Sequence, residues 1–269
     1  MTTPTDLFDF NDRHVFVAGG SSGINLGIAE AFAARGARVA IASRSQERID
    51  AAVAGLRRHG GEAAGWSADV RSPEAIGAAL AAAHARFGAI DVLVSGAAGN
   101  FVAPALGMSP NGFKTVVDID LNGTFNVLRL AHEFLRKPGA SVINITAAQS
   151  FNPSPYQAHV CAAKAGVDML TRTLAMEWGA DGIRINSILP GPIEATEGVR
   201  RLAPNDEARR RMLARIPLGR FGALEDVANM ALVLSSPLAT YVTGAIVPVD
   251  GGGVLSGSRD FSASYVARP

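Results

Sequence analysis

The chain has 269 residues, 48% hydrophobic and 18% charged, and Lys+Arg 25 against Asp+Glu 24 leaves a net charge of +1. This excludes a disordered chain and, through its near-neutral balance, a dedicated binder of nucleic acid or membrane surfaces. The lone Cys161 can close no intramolecular bridge, no Cys/His set has zinc spacing, and no run of 18 apolar residues is present, so a soluble cytoplasmic protein without a structural metal is expected.

The elements follow one rhythm. Residues 14–18 read as a strand and 24–35 as a helix stopped by Gly36; 38–42 form a second strand, followed by Ser45 as N-cap of a helix to about His59. Residues 63–67 are a weaker strand, and Ser72-Pro73-Glu74 opens a third helix. A strand at 90–94 precedes a long helix predicted from Ser109-Pro110 to about Leu135. Then come a strand at 141–145, a helix from about Tyr156 to Trp178 and a strand at 183–189. A proline- and arginine-rich lid at 190–218 interrupts the alternation before a helix at 224–234, a last strand at 245–249 and a tail at 254–269. The first ten residues, with two aspartates, do not read as a secretory signal, and Val266-Ala267-Arg268-Pro269 is not a Ser-Lys-Leu-type signal. Strands alternating with helices predict one doubly wound Rossmann-type α/β domain, a seven-stranded parallel sheet covered on both faces.

Ligands of such sheets lie beyond the carboxyl ends of the strands. Here those ends hold Gly19-Gly20-Ser21-Ser22-Gly23-Ile24, Ser43-Arg44, Asp69, residues 95–100, Thr146 and residues 190–193. Glycines between the first strand and first helix let the backbone approach a pyrophosphate, which the helix N-terminus stabilises. An NAD enzyme places Asp or Glu near the end of the second strand; Ser43 and Arg44 stand there instead. A guanidinium binds a 2′-phosphate through charge-assisted hydrogen bonds that a carboxylate would repel, so NADP(H) is the expected cofactor.

The glycine loop, Asp69-Val70, Ala97-Ala98-Gly99, Lys164, Asn186 and Pro190-Gly191-Pro192-Ile193 resemble the short-chain dehydrogenase/reductase family over about residues 12–253. Two nucleotide positions depart from it: Asn25 replaces the usual third loop glycine, where a tolerance of left-handed φ is expected to preserve binding, and Ser95 replaces an asparagine. The catalytic set departs further. Val160 stands where the family has its tyrosine, Ala147 where it has serine, and Asp120 where it has asparagine. Tyr156 is eight residues from Lys164, about 12 Å along a helix, so only a bent start could bring it near.

This pattern is similar to one branch, the 2,4-dienoyl-CoA reductases of peroxisomal type. The matching strings are those at 96–101, 113–120, 123–126, 144–147, 163–165, 196–202 and 236–239. The resemblance implies an NADPH-dependent reduction of a dienoyl thioester to an enoyl-CoA, the trans-3 isomer. Lys164 would hold the nicotinamide ribose, and Asp120 would orient the water that protonates carbon. Gly19, Ser21, Ser22, Gly23, Ile24, Ser43, Arg44, Asp69, Val70 and Ala97 would bind the nucleotide, with Asp69 at the adenine and Pro190, Gly191, Ile193 and Thr196 at the nicotinamide. Asn100 and Phe101, with Arg44, Arg71 and Arg201, would meet the acyl-CoA, the Asn100 amide donating to the thioester oxygen. The resemblance also implies a homotetramer. Two further readings stand beside this one: a carbonyl or 3-oxoacyl reductase using Tyr156 or water as acid, and a catalytically decayed NADP-binding sensor.

Overall fold

Every strand in a parallel sheet needs a crossover before the next, and the chain supplies one each time. The computed structural model describes residues 6–256; residues 1–5 and the tail at 257–269 lie outside the described residues. The strands are β1 (His14–Ala18), β2 (Arg38–Ser43), β3 (Ala63–Ser67), β4 (Val92–Ser95), β5 (Ser141–Ile145), β6 (Arg184–Pro190) and β7 (Ile246–Val249). The helices between them are α1 (Gly23–Ala33), α2 (Gln46–Arg57), α3 (Pro73–Phe87), α4 (Pro110–Val117), α5 (Gly123–Ala131), α6 (Ala158–Trp178), α7 (Glu197–Leu202), α8 (Asp206–Leu213) and α9 (Leu224–Ser235). All seven strands pair in parallel, in the order β3-β2-β1-β4-β5-β6-β7. The direction of winding therefore reverses between β1 and β4, where the crevice of a doubly wound sheet opens.

Alternation along each strand divides the core in two. Val15, Val17, Val39, Ile41, Val94 and Ile143 pack with Ile28 and Phe32 of α1, Ile49 of α2 and Val227 and Leu232 of α9. On the other face, Phe16, Ala40, Leu93 and Val142 pack with Leu80 of α3, Leu128 of α5 and Leu174 of α6. Helix starts follow the sequence. Ser45, Ser72 and Ser109 accept from the backbone N–H of Arg48, Ala75 and Gly112, with Pro73 and Pro110 at first-turn positions that need no N–H.

Two helices differ from expectation. The predicted helix from Ser109 to Leu135 ends at Ala131 and is interrupted by a π turn at Asp118–Asn122. The widened turn carries Asp120, and the Thr124 hydroxyl donates to the Asp120 carbonyl at 2.7 Å. The helix predicted from Tyr156 starts at Ala158, because Tyr156 has φ +65°, outside helical space. The lid is not irregular throughout: it contains α7, capped by Thr196, and α8, capped by Asn205.

At the end of the sheet remote from the crevice, Asp91 is buried and accepts from the His14 N–H at 2.9 Å, from Arg13 at 2.9 Å and from Arg136. Burial pushes its carboxyl up, but the bonds from Arg136, His14 and Arg13 outweigh this and hold it below the usual range. A depressed folded pKa stabilises the fold above the unfolded value of about 3.9, and that contribution is lost as pH falls through the folded value. Asp91→Ala is expected to lower the unfolding free energy by roughly 2–3 kcal/mol at neutral pH. Urea melts should show the deficit narrowing below about pH 4.

Candidate active site

The crevice begins at the loop after β1. Gly19, at φ +81°, lies so close to the next crossover that a Cβ there would sit 2.9 Å from the Ala97 backbone. Gly23 takes the second left-handed position, φ +59°, at the start of α1. Ser22 precedes it without a side-chain cap, so the first N–H groups of α1 point into the crevice unclaimed by a capping side chain. The Ser21 hydroxyl donates to that of Ser43 at 2.7 Å and ties the β1 and β2 loops together. A cleft of about 260 Å³ results, lined among others by Gly19, Ser21, Ser22, Ser43, Arg44, Asp69, Val70 and Ala97. Arg44 and Arg48 also line it, and neither has an ion-pair partner among the described residues. A glycine cradle, unclaimed N–H groups and two available guanidiniums fit an extended dinucleotide. Arg48, in the first turn of α2, was not anticipated in sequence.

Asn25 is not in the left-handed conformation expected of it. It lies within α1, and its side chain fills space instead: Nδ2 donates to Gly96 O at 2.8 Å and to Gly19 O at 3.3 Å. Gly96 is what makes room, because a Cβ there would overlap the Asn25 carboxamide. The Asn25 Oδ1 is buried in the cleft with no hydrogen-bond partner among the described residues.

Deeper in the crevice, Asp120 and Lys164 meet. The Lys164 Nζ lies 3.4 Å from Asp120 Oδ2, and the two residues are 5% and 1% exposed. Lys164 also donates to Ile145 O at 3.0 Å, while Asp120 Oδ1 accepts from the Gly99 N–H at 2.7 Å. The pair is thus clasped from the ends of β4 and β5, with Oδ2 accepting no hydrogen bond from the described residues. Val160, one turn before Lys164, is buried and apolar. Tyr156 is 59% exposed and precedes α6, so the bent start does not carry its phenol into the buried pair's surroundings.

Three further residues belong to this region, His159 among them as a residue that sequence marks without a role, Asp168 and Gln157 as ones it does not mark. Asp168, one turn after Lys164, is buried beside the Ser150 and Thr146 hydroxyls; burial raises its pKa against those groups, Arg172 and Lys164. The spacing of four from Lys164 was a usable signal. His159 is fully buried with its ring 4.3 Å from that of Phe101, and burial pushes its pKa down against the opposing pull of Asp120 and the Phe101 backbone. Gln157, also buried, donates to Asn100 Oδ1 at 2.9 Å. Only the fold brings it to the loop after β4.

The arginines singled out in sequence are placed unequally. Arg71 forms a two-point pair with Asp69, at 2.6 Å for its shortest contact, and that guanidinium holds the Asp69 carboxyl below its usual range. Arg201 donates to Glu197 at 2.7 Å and to Asn100 O at 2.9 Å, joining α7 to the loop after β4. Arg200, Arg209 and Arg211 pair with Glu197, Glu194 and Glu207 within the lid, whereas Arg210 and Arg215 have no ion-pair partner among the described residues. Pro190 ends β6, Gly191 donates to Val249 O at 3.0 Å, and Thr196 Oγ1 donates to Ile193 O at 2.7 Å. A larger recess of about 460 Å³ is lined by Gly191, Ile193, Leu218 and Asp250, and neither Asp120 nor Lys164 reaches it. No helix among the described residues is long and apolar enough to cross a membrane.

Comparison with known proteins gives consistent results. The family model described as enoyl-(acyl carrier protein) reductase matches residues 18–253. A peroxisomal 2,4-dienoyl-CoA reductase of Pongo abelii, (3E)-enoyl-CoA-producing, is 46% identical over 251 residues, 93% of this chain and 86% of that protein. A probable 2,4-dienoyl-CoA reductase of Bacillus subtilis, (2E)-enoyl-CoA-producing, is 39% identical and covers 89% of this chain and 96% of its own. A crystal structure of a short-chain type dehydrogenase/reductase from Mycobacterium marinum superimposes with a TM-score of 0.85 at 30% identity, over 92% of this chain and 98% of that one.

The Asn25–Gly96 fit yields a reciprocal test. Gly96→Ala is expected to destabilise the loop by roughly 1–3 kcal/mol through overpacking. Adding Asn25→Gly should restore most of the loss, as read by thermal unfolding with and without dinucleotide.

Proposed function

The chain belongs to the short-chain dehydrogenase/reductase family, and from that premise we propose that it reduces 2,4-dienoyl-CoA thioesters to enoyl-CoA with NADPH. The observation that carries this is the buried Asp120–Lys164 pair at 3.4 Å, with Val160 and Ala147 where a hydroxyl-bearing pair would stand. A carbonyl reductase needs an acid on the oxygen of its nascent alkoxide. A dienoyl thioester spreads its developing charge to the thioester oxygen and takes its proton on carbon, so a donor to that oxygen and a held water suffice. The names of the relatives above support the same substrate class, and those at 40–46% identity specify the (3E) product.

Bound NADPH supplies the hydride. Gly19, Ser21, Ser22, Gly23 and Ile24 would cradle its pyrophosphate; Ser43 and Arg44, with Arg48 behind them, would hold the 2′-phosphate. Asp69, Val70 and Ala97 would line the adenosine side, and Pro190, Gly191, Ile193 and Thr196 the nicotinamide side. Lys164 would hold the nicotinamide ribose and keep positive charge beside Asp120. Asp120, through its Oδ2, would orient the water that gives its proton to carbon, solvent restoring that proton. Asn100 and Phe101 would meet the acyl thioester, the Asn100 Nδ2 donating to its oxygen, while Arg44, Arg71 and Arg201 would meet the CoA phosphates. All described strands share one sheet, which supports a single domain. Exposed Phe113, Phe125, Met169 and Met176 on α4, α5 and α6 support assembly into a homotetramer. The compartment we propose is the cytoplasm, consistent with the single unpaired Cys161.

Purified protein with NADPH and a medium-chain 2,4-dienoyl-CoA should consume nicotinamide absorbance, and a 3-oxoacyl-CoA should not. Asp120→Ala is expected to lower kcat by on the order of 10²–10⁴, with Tyr156→Phe close to wild type. Turnover of the oxoacyl substrate alone, lost in Tyr156→Phe, would overturn the proposal. No turnover on either, with tight NADPH binding, would favour the sensor reading. Arg44→Asp should shift preference from NADPH towards NADH by roughly 10- to 100-fold in kcat/KM, the worth of a charge-assisted hydrogen bond.

A further inference from the structure

A carboxamide has two ends of opposite hydrogen-bonding character, and an active-site asparagine is useful as a donor only if its NH₂ faces the substrate. In Asn100 the choice is already made. Its Oδ1 accepts from Gln157 Nε2 at 2.9 Å, and no described residue accepts from its Nδ2. Gln157 is itself held in one sense: its Oε1 accepts from Gln149 Nε2 at 2.9 Å, and its Nε2 lies 3.4 Å from Phe101 O. Turning Gln157 over would set NH₂ against NH₂ at Gln149 and oxygen against oxygen at both Asn100 and Phe101. Gln157 is 4% exposed, so water is not at hand to repair the mismatch. The backbone of Asn100 is fixed as well, its carbonyl accepting from Arg201 at 2.9 Å.

We propose that Gln157 is a positioning residue: the Gln149–Gln157–Asn100 amide relay fixes the polarity of Asn100 so that its NH₂, and not its oxygen, faces the thioester oxygen. This rests on the reading of Asn100 as the donor to that oxygen. With the amide reversed, lone pairs would face the oxygen on which charge develops, and a stabilising contact would become a repulsive one. Nothing in the sequence pattern marks Gln149 and Gln157 as a pair; they meet because the turn after β5 and the start of α6 lie side by side.

The test uses acceptor-only replacements. In Gln157→Glu the carboxylate draws the Asn100 NH₂ towards itself and leaves Oδ1 for the substrate. In Gln149→Glu, where the new charge is only half-buried, Gln157 turns over and passes the same reversal to Asn100. Gln157→Met keeps the length and removes the polarity, so the amide is released rather than reversed. The readouts are kcat with a dienoyl-CoA and the carbonyl stretch of bound hexanoyl-CoA carrying ¹³C in its thioester, which cannot be reduced. Both Glu variants are expected to lower kcat on the order of 10²-fold, the loss typical of an oxyanion donor, with Gln157→Met losing about tenfold. The carbonyl band, shifted to lower frequency in the wild type, should return towards its position in water in the Glu variants, while KM for NADPH stays unchanged. Glu variants with wild-type kcat and band, or a Met variant as impaired as both Glu variants, would overturn the relay. Asn100→Ala separates the two levels: if it too leaves kcat and the band unchanged, the reading of Asn100 as donor fails. If it impairs both while the Glu variants do not, only the role of Gln157 fails.

Discussion

A carboxylate and an ammonium taken out of water together must be held together, because either one alone would carry an uncompensated desolvation cost of several kcal/mol. Asp120 and Lys164 impose that requirement on the middle of this molecule. The Gly99 N–H fixes one carboxylate oxygen, the Ile145 carbonyl fixes the ammonium, and the π turn at Asp118–Asn122 carries Asp120 in the widened stretch between α4 and α5. The tight loop at 96–99, the end of β5 and the first turns of α6 are thereby tied to one another. The switch in strand order between β1 and β4 places that knot beside the cleft bounded by the glycine loop.

Without a phenol on the substrate oxygen, the site has to supply polarity by other means. Val160 leaves an apolar wall where an acid would stand, and Asp120 has one oxygen on the Gly99 N–H and the other facing Lys164. Chemistry that ends with a proton on carbon tolerates this arrangement, because the oxygen then needs only a fixed donor. An amide suits that task better than a hydroxyl in one respect: neighbouring hydrogen bonds can lock which end it presents, whereas a hydroxyl rotates to suit its partner.

Local chemistry made much of the fold legible. Ser45, Ser72-Pro73 and Ser109-Pro110 announce helix starts because each cap is satisfied within four residues. Strand β1 was readable from its apolar run, and Asp120 and Lys164 from family likeness. What escaped was set by contacts distant in sequence. The π turn depends on the surroundings of Asp120, which helical periodicity does not encode. Asn25 was read as a question of backbone conformation, but the structure makes it one of volume: helical φ is available, and Gly96, seventy-one residues away, yields the space. Gln157, at the start of α6, has the same origin. A polar residue on α6 gains its meaning from the strand end or loop it faces.

The lid adds a final constraint on residue type. Arg200, Arg209 and Arg211 each pair with a glutamate of the lid, in exposed contacts of small energetic weight. Arg201 differs because one planar fork serves two partners, Nε to Glu197 and Nη1 to Asn100 O. A lysine, with a point charge on a flexible stem, would not hold both in fixed geometry. The loop bearing Asn100 is therefore held on one side by the lid and on the other by Gln157. The lid contact reaches only the backbone of Asn100; the contact to its amide oxygen comes from Gln157, at the start of α6.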